Sequence, residues 1–148
     1  MKKMTMVACL LATSYAHAGS IDDAILSGIK AHQAAKCMAY LEVAGEDKQD
    51  AYGKLSIVFN DNIGKYVDNA LSDEFNAKAI TSPIPMTWSI LVERNRLDKQ
   101  VLMGRLLQWT TMVETQRVGN IYAPNERTIP ESAGVAAYNQ ENCALLVQ

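Results

Sequence analysis

The placement of its cysteines constrains this chain more than any other feature. Cys37 sits in AAKCMAY and Cys143 in QENCALL, 143 − 37 = 106 residues apart. The third, Cys9, belongs to the opening stretch MKKMTMVACLLATSYAHA, where Lys2 and Lys3 precede a short apolar run and Ala16-His17-Ala18 closes it. A basic start, an apolar middle and small residues at an A-x-A site form the pattern of a secretory signal peptide, here cut after Ala18. The apolar run, Met4 to Ala12, is far shorter than the ~20 residues a membrane-spanning helix needs. Too little apolar sequence precedes Cys9 for a lipoprotein signal. The expected product is residues 19–148 as one domain, delivered to the periplasm or on to the extracellular space.

Export leaves Cys37 and Cys143 as a pair, and an even pair in an oxidising compartment reads as a disulfide. Zinc fits poorly, because a structural site usually takes four Cys or His ligands and the exported chain offers two cysteines and His32. A redox dithiol fits poorly too, since there is no C-x-x-C. A bridge closing so long a loop is worth on the order of 4–5 kcal/mol in the chain-entropy account.

Charge narrows the partners. Removing Lys2 and Lys3 from 14 basic residues leaves 12 against 16 acidic ones, a net charge of −4. Phosphate backbones and anionic lipid both call for a basic surface, so nucleic acid and membrane docking are disfavoured. No later stretch is long and apolar enough to cross a bilayer.

Helical periodicity runs through the rest, and an all-α bundle of four to five helices is the expected fold. Ser20-Ile21-Asp22-Asp23 resembles a capping box, and Gly45 suits the end of the helix it starts. On that helix Ile21, Ile25, Ile29, His32, Ala39 and Val43 form one stripe, with Leu26, Cys37, Leu41 and Ala44 nearly opposite. The isoleucine stripe is expected to meet the middle helices. The Cys37 side is expected to receive a final helix with few other contacts, held down by the bridge. A second helix is expected from Asp47 to Leu71, antiparallel to the first, with Ala51, Tyr52, Leu55, Val58, Phe59, Tyr66 and Ala70 inward. SDEFNAKAITSPIPM reads as a break whose prolines lead into another helix. That helix covers 87–118, breaks at Asp98 and turns Val101, Leu102, Leu106, Trp109, Met112 and Val113 inward, with Arg105 snorkelling at the edge or else paired with a carboxylate from another helix. GNIYAPNERTIP reads as a loop, and Thr128-Ile129-Pro130-Glu131 as a capping box opening a last helix over 131–147. Ile57, Met103 and Leu107 fall off these stripes, as a second surface or as further packing.

No motif for nucleophilic catalysis, nucleotide binding or metal hydrolysis is present, and no cofactor is implied. His32, alone of its type after export, reads as a packed core residue. The functional expectation is a non-enzymatic, protein-binding module of the cell envelope. It would be an immunity or inhibitor protein against an envelope-acting enzyme or toxin, with an accessory subunit of a pilus, secretion or conjugation apparatus as the alternative. A small-molecule carrier, an acid-stress chaperone and a small enzyme rank below. Binding is expected from the loops: Ile121, Tyr122, Arg127 and Ile129 in one, Ile84 and Met86 in the other, with bundle capping as their other role.

Overall fold

The computed structural model describes residues 20–45, 48–94 and 98–148; the expected signal peptide and Asp47, expected to open the second helix, lie outside them. Among the described residues the chain is all-helical: α1 (Ile21–Ala44), α2 (Gln49–Asn69), α3 (Asp73–Ala79), α4 (Met86–Arg94), α5 (Lys99–Tyr122), α6 (Glu131–Gln140) and a terminal 3-10 turn (Cys143–Val147).

α1 is the shared centre. Its capping box forms as the sequence predicts: the Asp23 N–H donates to Ser20 Oγ and the Ser20 N–H to Asp23 Oδ2, both at 3.2 Å. Gly45 ends the helix at a positive φ of 91° that favours glycine, its N–H donating to the Leu41 carbonyl at 3.1 Å. Between these ends α2, α5 and α6 all pack on α1. The residues that admit them are small: Ala24, Ser27, Gly28, Ala31, Ala34, Ala35 and Ala39 are buried, whereas Ile21, Ile25, Ile29 and Val43 are only half-buried. The isoleucine stripe is thus the flank of the contact. Small side chains let neighbouring helices approach closely, and the bulk of the core comes from those neighbours together with Met38, Tyr40 and Leu41 of α1.

α2 returns antiparallel to α1, as expected, bringing Tyr52 to Glu42 at one end and Tyr66 to Gly28 at the other. It buries Leu55, Phe59, Tyr66 and Ala70 from the expected face and adds Ile63 and Val67. The stretch after it is not only a break. Ser72 Oγ accepts the Phe75 N–H at 3.2 Å and starts α3, which buries Phe75. Tyr66 then meets Phe75 and Trp88 edge to face, with ring centroids 5.5 and 5.4 Å apart, so these aromatic rings fill the interior between α1, α2 and α4.

The break at Asp98 is real: its carboxylate accepts the Gln100 N–H at 2.9 Å and caps α5. The inward face of α5 differs from the expected one. It carries Leu102, Met103, Leu106, Thr110, Glu114 and Val118, while Val101 and Met112 point out. The polar Thr110 and Glu114 are buried in that face, which hides it from a reading based on apolar residues. Arg105 lies on the exposed side. α5 also continues through GNIY, expected as loop; Gly119 stays helical and makes room for Ile129, whose Cδ1 would lie 3.0 Å from a Cβ there.

α6 begins at Glu131 as expected but departs from expectation in its cap and in where it ends. Pro130 occupies the N-cap position without a side-chain cap, so the Thr128–Glu131 capping box does not form. The helix stops at Gln140, and Asn142 turns left-handed with φ 53°, a conformation asparagine tolerates. That turn swings Cys143 onto Cys37, and the disulfide joins them with Cα atoms 5.6 Å apart. α6 is more than an element pinned by the bridge. Ala133, Gly134 and Ala137 are buried against α1, and a Cβ on Gly134 would stand 2.5 Å from the Ala44 nitrogen and 2.6 Å from the Tyr40 carbonyl oxygen. Backbone cannot yield as a side chain can. Gly134→Ala is therefore expected to destabilise the fold by about 1–3 kcal/mol. Gly53→Ala, on α2 with nothing within 4 Å, should stabilise it by about 0.5–1 kcal/mol. Urea unfolding of the two variants checks both signs.

Candidate functional site

Chemistry-bearing side chains gather where α1, α5 and the end of α6 meet, beside the disulfide. Tyr40, with no exposed surface, donates its hydroxyl hydrogen to Glu114 Oε2 at 2.7 Å. Arg117, one turn on from Glu114, donates Nε to the same oxygen at 2.7 Å and Nη2 to the Tyr40 hydroxyl oxygen, its guanidinium 5.6 Å from the centre of the Tyr40 ring. Nη2 also reaches Glu141 Oε1 at 2.9 Å, and Lys36 Nζ holds Glu141 Oε2 at 3.0 Å. The result is an alternating chain of charges: Lys36, Glu141, Arg117, Glu114, ending on a phenol.

The environment shifts three of these groups. Burial raises the Tyr40 hydroxyl far above its ordinary value, and the hydrogen bond to Glu114 raises it further. Partial burial works to raise the Glu141 carboxyl, but Lys36 and Arg117 outweigh it and hold the group below its ordinary value. Arg117 is raised: burial opposes its charge, and Glu114 and Tyr40 more than compensate. Every charged member has an opposite partner, and the phenol is held neutral. A buried carboxylate such as Glu114 costs several kcal/mol to desolvate, which its two donors offset. The arrangement fixes α5 and α6 relative to α1; it holds no free base or nucleophile.

His32 lies one turn before Lys36. Its ring meets Trp88 edge-on at 5.3 Å, and Trp88 Nε1 donates to Thr110 Oγ1 at 3.0 Å. Burial, with Lys36 adding to it and Glu114 and Glu141 opposing, lowers the imidazole pKa from 6.5 to about 4. Among the described residues no group of three His, Cys, Asp or Glu is placed to hold a metal ion, and no helix is long and apolar enough to cross a membrane.

The residues expected to bind a partner do not share one surface. Ile84 is buried, its Cδ1 against the space left by Gly28, while Met86 is exposed beside it at the start of α4. The other loop lies toward the far end of α1, where the Glu131 side chain meets Gly45; Gly28 and Gly45 are ~25 Å apart along the helix. There Ile129 tucks onto Gly119, Ala123 is buried, and the half-buried Tyr122 donates its hydroxyl hydrogen to Gln140 Oε1. Ile121, 55 % exposed, and Arg127 remain outward. Arg117, which flanks this loop in sequence, turns into the charge chain. Sequence reading missed Tyr40, Glu114 and Glu141. A carboxylate eight residues after Leu106, on the stripe of Leu102, Leu106 and Thr110, was the one available sign.

Comparison with known proteins yields no match: no family description, no curated protein and no solved structure corresponds to this chain.

The His32 environment has a testable consequence. Between pH 6.5 and 4 the unfolded chain takes up a proton that the folded imidazole refuses, so stability is full above that window and is lost as pH falls through it. Unfolding free energy should drop by about 2 kcal/mol from pH 7 to pH 5 on this account. His32→Leu should flatten that segment, whereas Glu141→Gln should alter the profile mainly within and below the ordinary carboxylate range and leave the His32 segment in place. Urea titrations at stepped pH measure both.

Proposed function

We propose that this protein is a non-enzymatic interaction module of the cell envelope, exported by its N-terminal signal and acting as an immunity or inhibitor protein on an envelope-acting enzyme or toxin. The observation that carries the reading is the 121–129 segment, the last two residues of α5 and the loop that follows them. It is tied down at Tyr122, Ala123 and Ile129, yet leaves Ile121 and Arg127 facing solvent. A loop already held in shape loses little entropy on binding, and an apolar side chain beside an arginine is a common anchor pair. The disulfide and the charge chain support the same reading, because they brace the α5–α6 corner that carries the loop. The net charge of −4 after export favours a basic partner surface.

Affinity capture with the oxidised, signal-free protein from periplasmic extract, read by mass spectrometry, tests this. The expected result is one dominant hydrolase or toxin, whose activity the protein suppresses and whose capture falls about tenfold or more with Ile121→Asp or Arg127→Glu. Several apparatus subunits recovered in fixed ratio would favour the accessory-subunit role. An empty capture from the producing cell would oppose both.

A further inference from the structure

α5 has a second, outward-facing apolar surface that its packing leaves uncovered. At 100° per residue Val101, Gly104, Gln108 and Met112 lie within an arc of about 80°. Val101 is 48 % and Met112 61 % exposed, and nothing lies within 4 Å of the Cβ position of Gly104. Glycine in a helix interior costs about 0.5–1 kcal/mol relative to alanine, and here no contact inside the bundle recovers it. Gly104, Gln108 and Met112, together with Leu107, Thr111 and the α1 residue Glu42, border an open hollow of about 410 Å³.

Glu42 gives the hollow its chemistry. It is exposed and has no ion-pair partner among the described residues. The Tyr52 hydroxyl donates to its Oε1 at 3.1 Å, which orients the carboxylate and leaves Oε2 able to accept from outside. On its other side Glu42 borders a second hollow of about 260 Å³ that reaches Leu41 and Tyr52, with Lys48 on its wall and no ion pair between Lys48 and Glu42. An oriented carboxylate thus stands between two shallow hollows, the first floored by Gly104 and walled by Leu107 and Met112.

We infer that this face is a second contact surface, which receives a partner-protein segment carrying an arginine or lysine for Glu42 and an apolar side chain for the hollow over Gly104. Charge complementarity selects this occupant. A planar guanidinium suits a carboxylate already held by one hydroxyl, and the acidic balance of the exported chain steers a basic segment toward it. A second copy of this chain fits poorly, because it would bring the same acidic balance to the contact. A shallow hollow open to solvent accepts side chains from a surface more readily than it encloses a small ligand. The inference rests on the proposal that the protein binds a protein, but not on the 121–129 segment.

Selection of random displayed peptides on the immobilised, oxidised protein tests it without knowledge of the natural partner. Enriched peptides should place Arg or Lys within a few residues of Leu, Met or Phe. Their synthetic versions should bind about tenfold more weakly to Glu42→Lys and to Met112→Asp, and equally well to Glu74→Lys, a charge-matched change on α3. Both altered sites are exposed, and circular dichroism confirms that the variants stay folded. Peptides lacking a basic residue, peptides indifferent to Glu42→Lys and Met112→Asp, or no enrichment at all would each overturn this surface. A captured natural partner that binds Glu42→Lys as tightly as the parent protein would overturn it too, while leaving the protein-binding role intact.

Discussion

Every layer of this fold depends on the close approach that α1 allows along its small residues. Ala24, Ser27, Gly28, Ala31, Ala34, Ala35 and Ala39 are buried, and none supplies much bulk. What they supply is distance. With little between the helix axes, the larger side chains of the neighbours reach over α1 and meet one another: Ile84 and Tyr66 fill the space at Gly28, and Trp88 spans from His32 to Thr110. The same logic recurs at Gly134, where α6 lies almost backbone to backbone on Tyr40 and Ala44. A larger residue at these positions would push apart helices that also share the disulfide and the charge chain.

Three different interactions converge on the end of the chain. Gly134 sets how close α6 comes, the Cys37–Cys143 bridge fixes where it finishes, and Glu141 ties it to Lys36 and Arg117. The bridge acts chiefly on the unfolded chain by closing a long loop, whereas the charge chain acts on the folded one by leaving no buried charge unpaired. Their joint effect is a rigid corner between α5 and α6, which carries the 121–129 segment. Rigidity at that corner links the fold to the proposed role, since a binding loop held in place keeps its affinity for contacts and spends little of it on ordering.

Much of this architecture was legible in the sequence, and the errors share a physical cause. Ser20, Gly45 and Asp98 mark helix ends through local chemistry that acts within a turn, so those boundaries could be read. The disulfide followed from the expected export, which leaves two cysteines to pair. Faces were harder. A stripe drawn through isoleucines on α1, or through Val101 and Met112 on α5, assumes that bulk marks burial. Here small residues lie at the closest contacts, and Thr110 and Glu114 are buried with partners from other helices. The capping box at Thr128 failed for a similar reason: Ile129 is drawn onto Gly119 and Pro130 takes the cap position, so tertiary packing overrides the local motif. Tyr40 and Glu141 could not have been paired with Glu114 and Arg117 without knowing how α1, α5 and α6 meet.

Native-state hydrogen exchange tests the central position of α1 most directly. If all packing depends on that helix, its amides from Ala24 to Leu41 should exchange only through global unfolding, with the steepest denaturant dependence in the molecule. Amides of α3 and α4, which have fewer neighbours, should open at lower free energy. Exchange from the middle of α1 through small local openings, while α2 or α5 remained protected, would contradict the account.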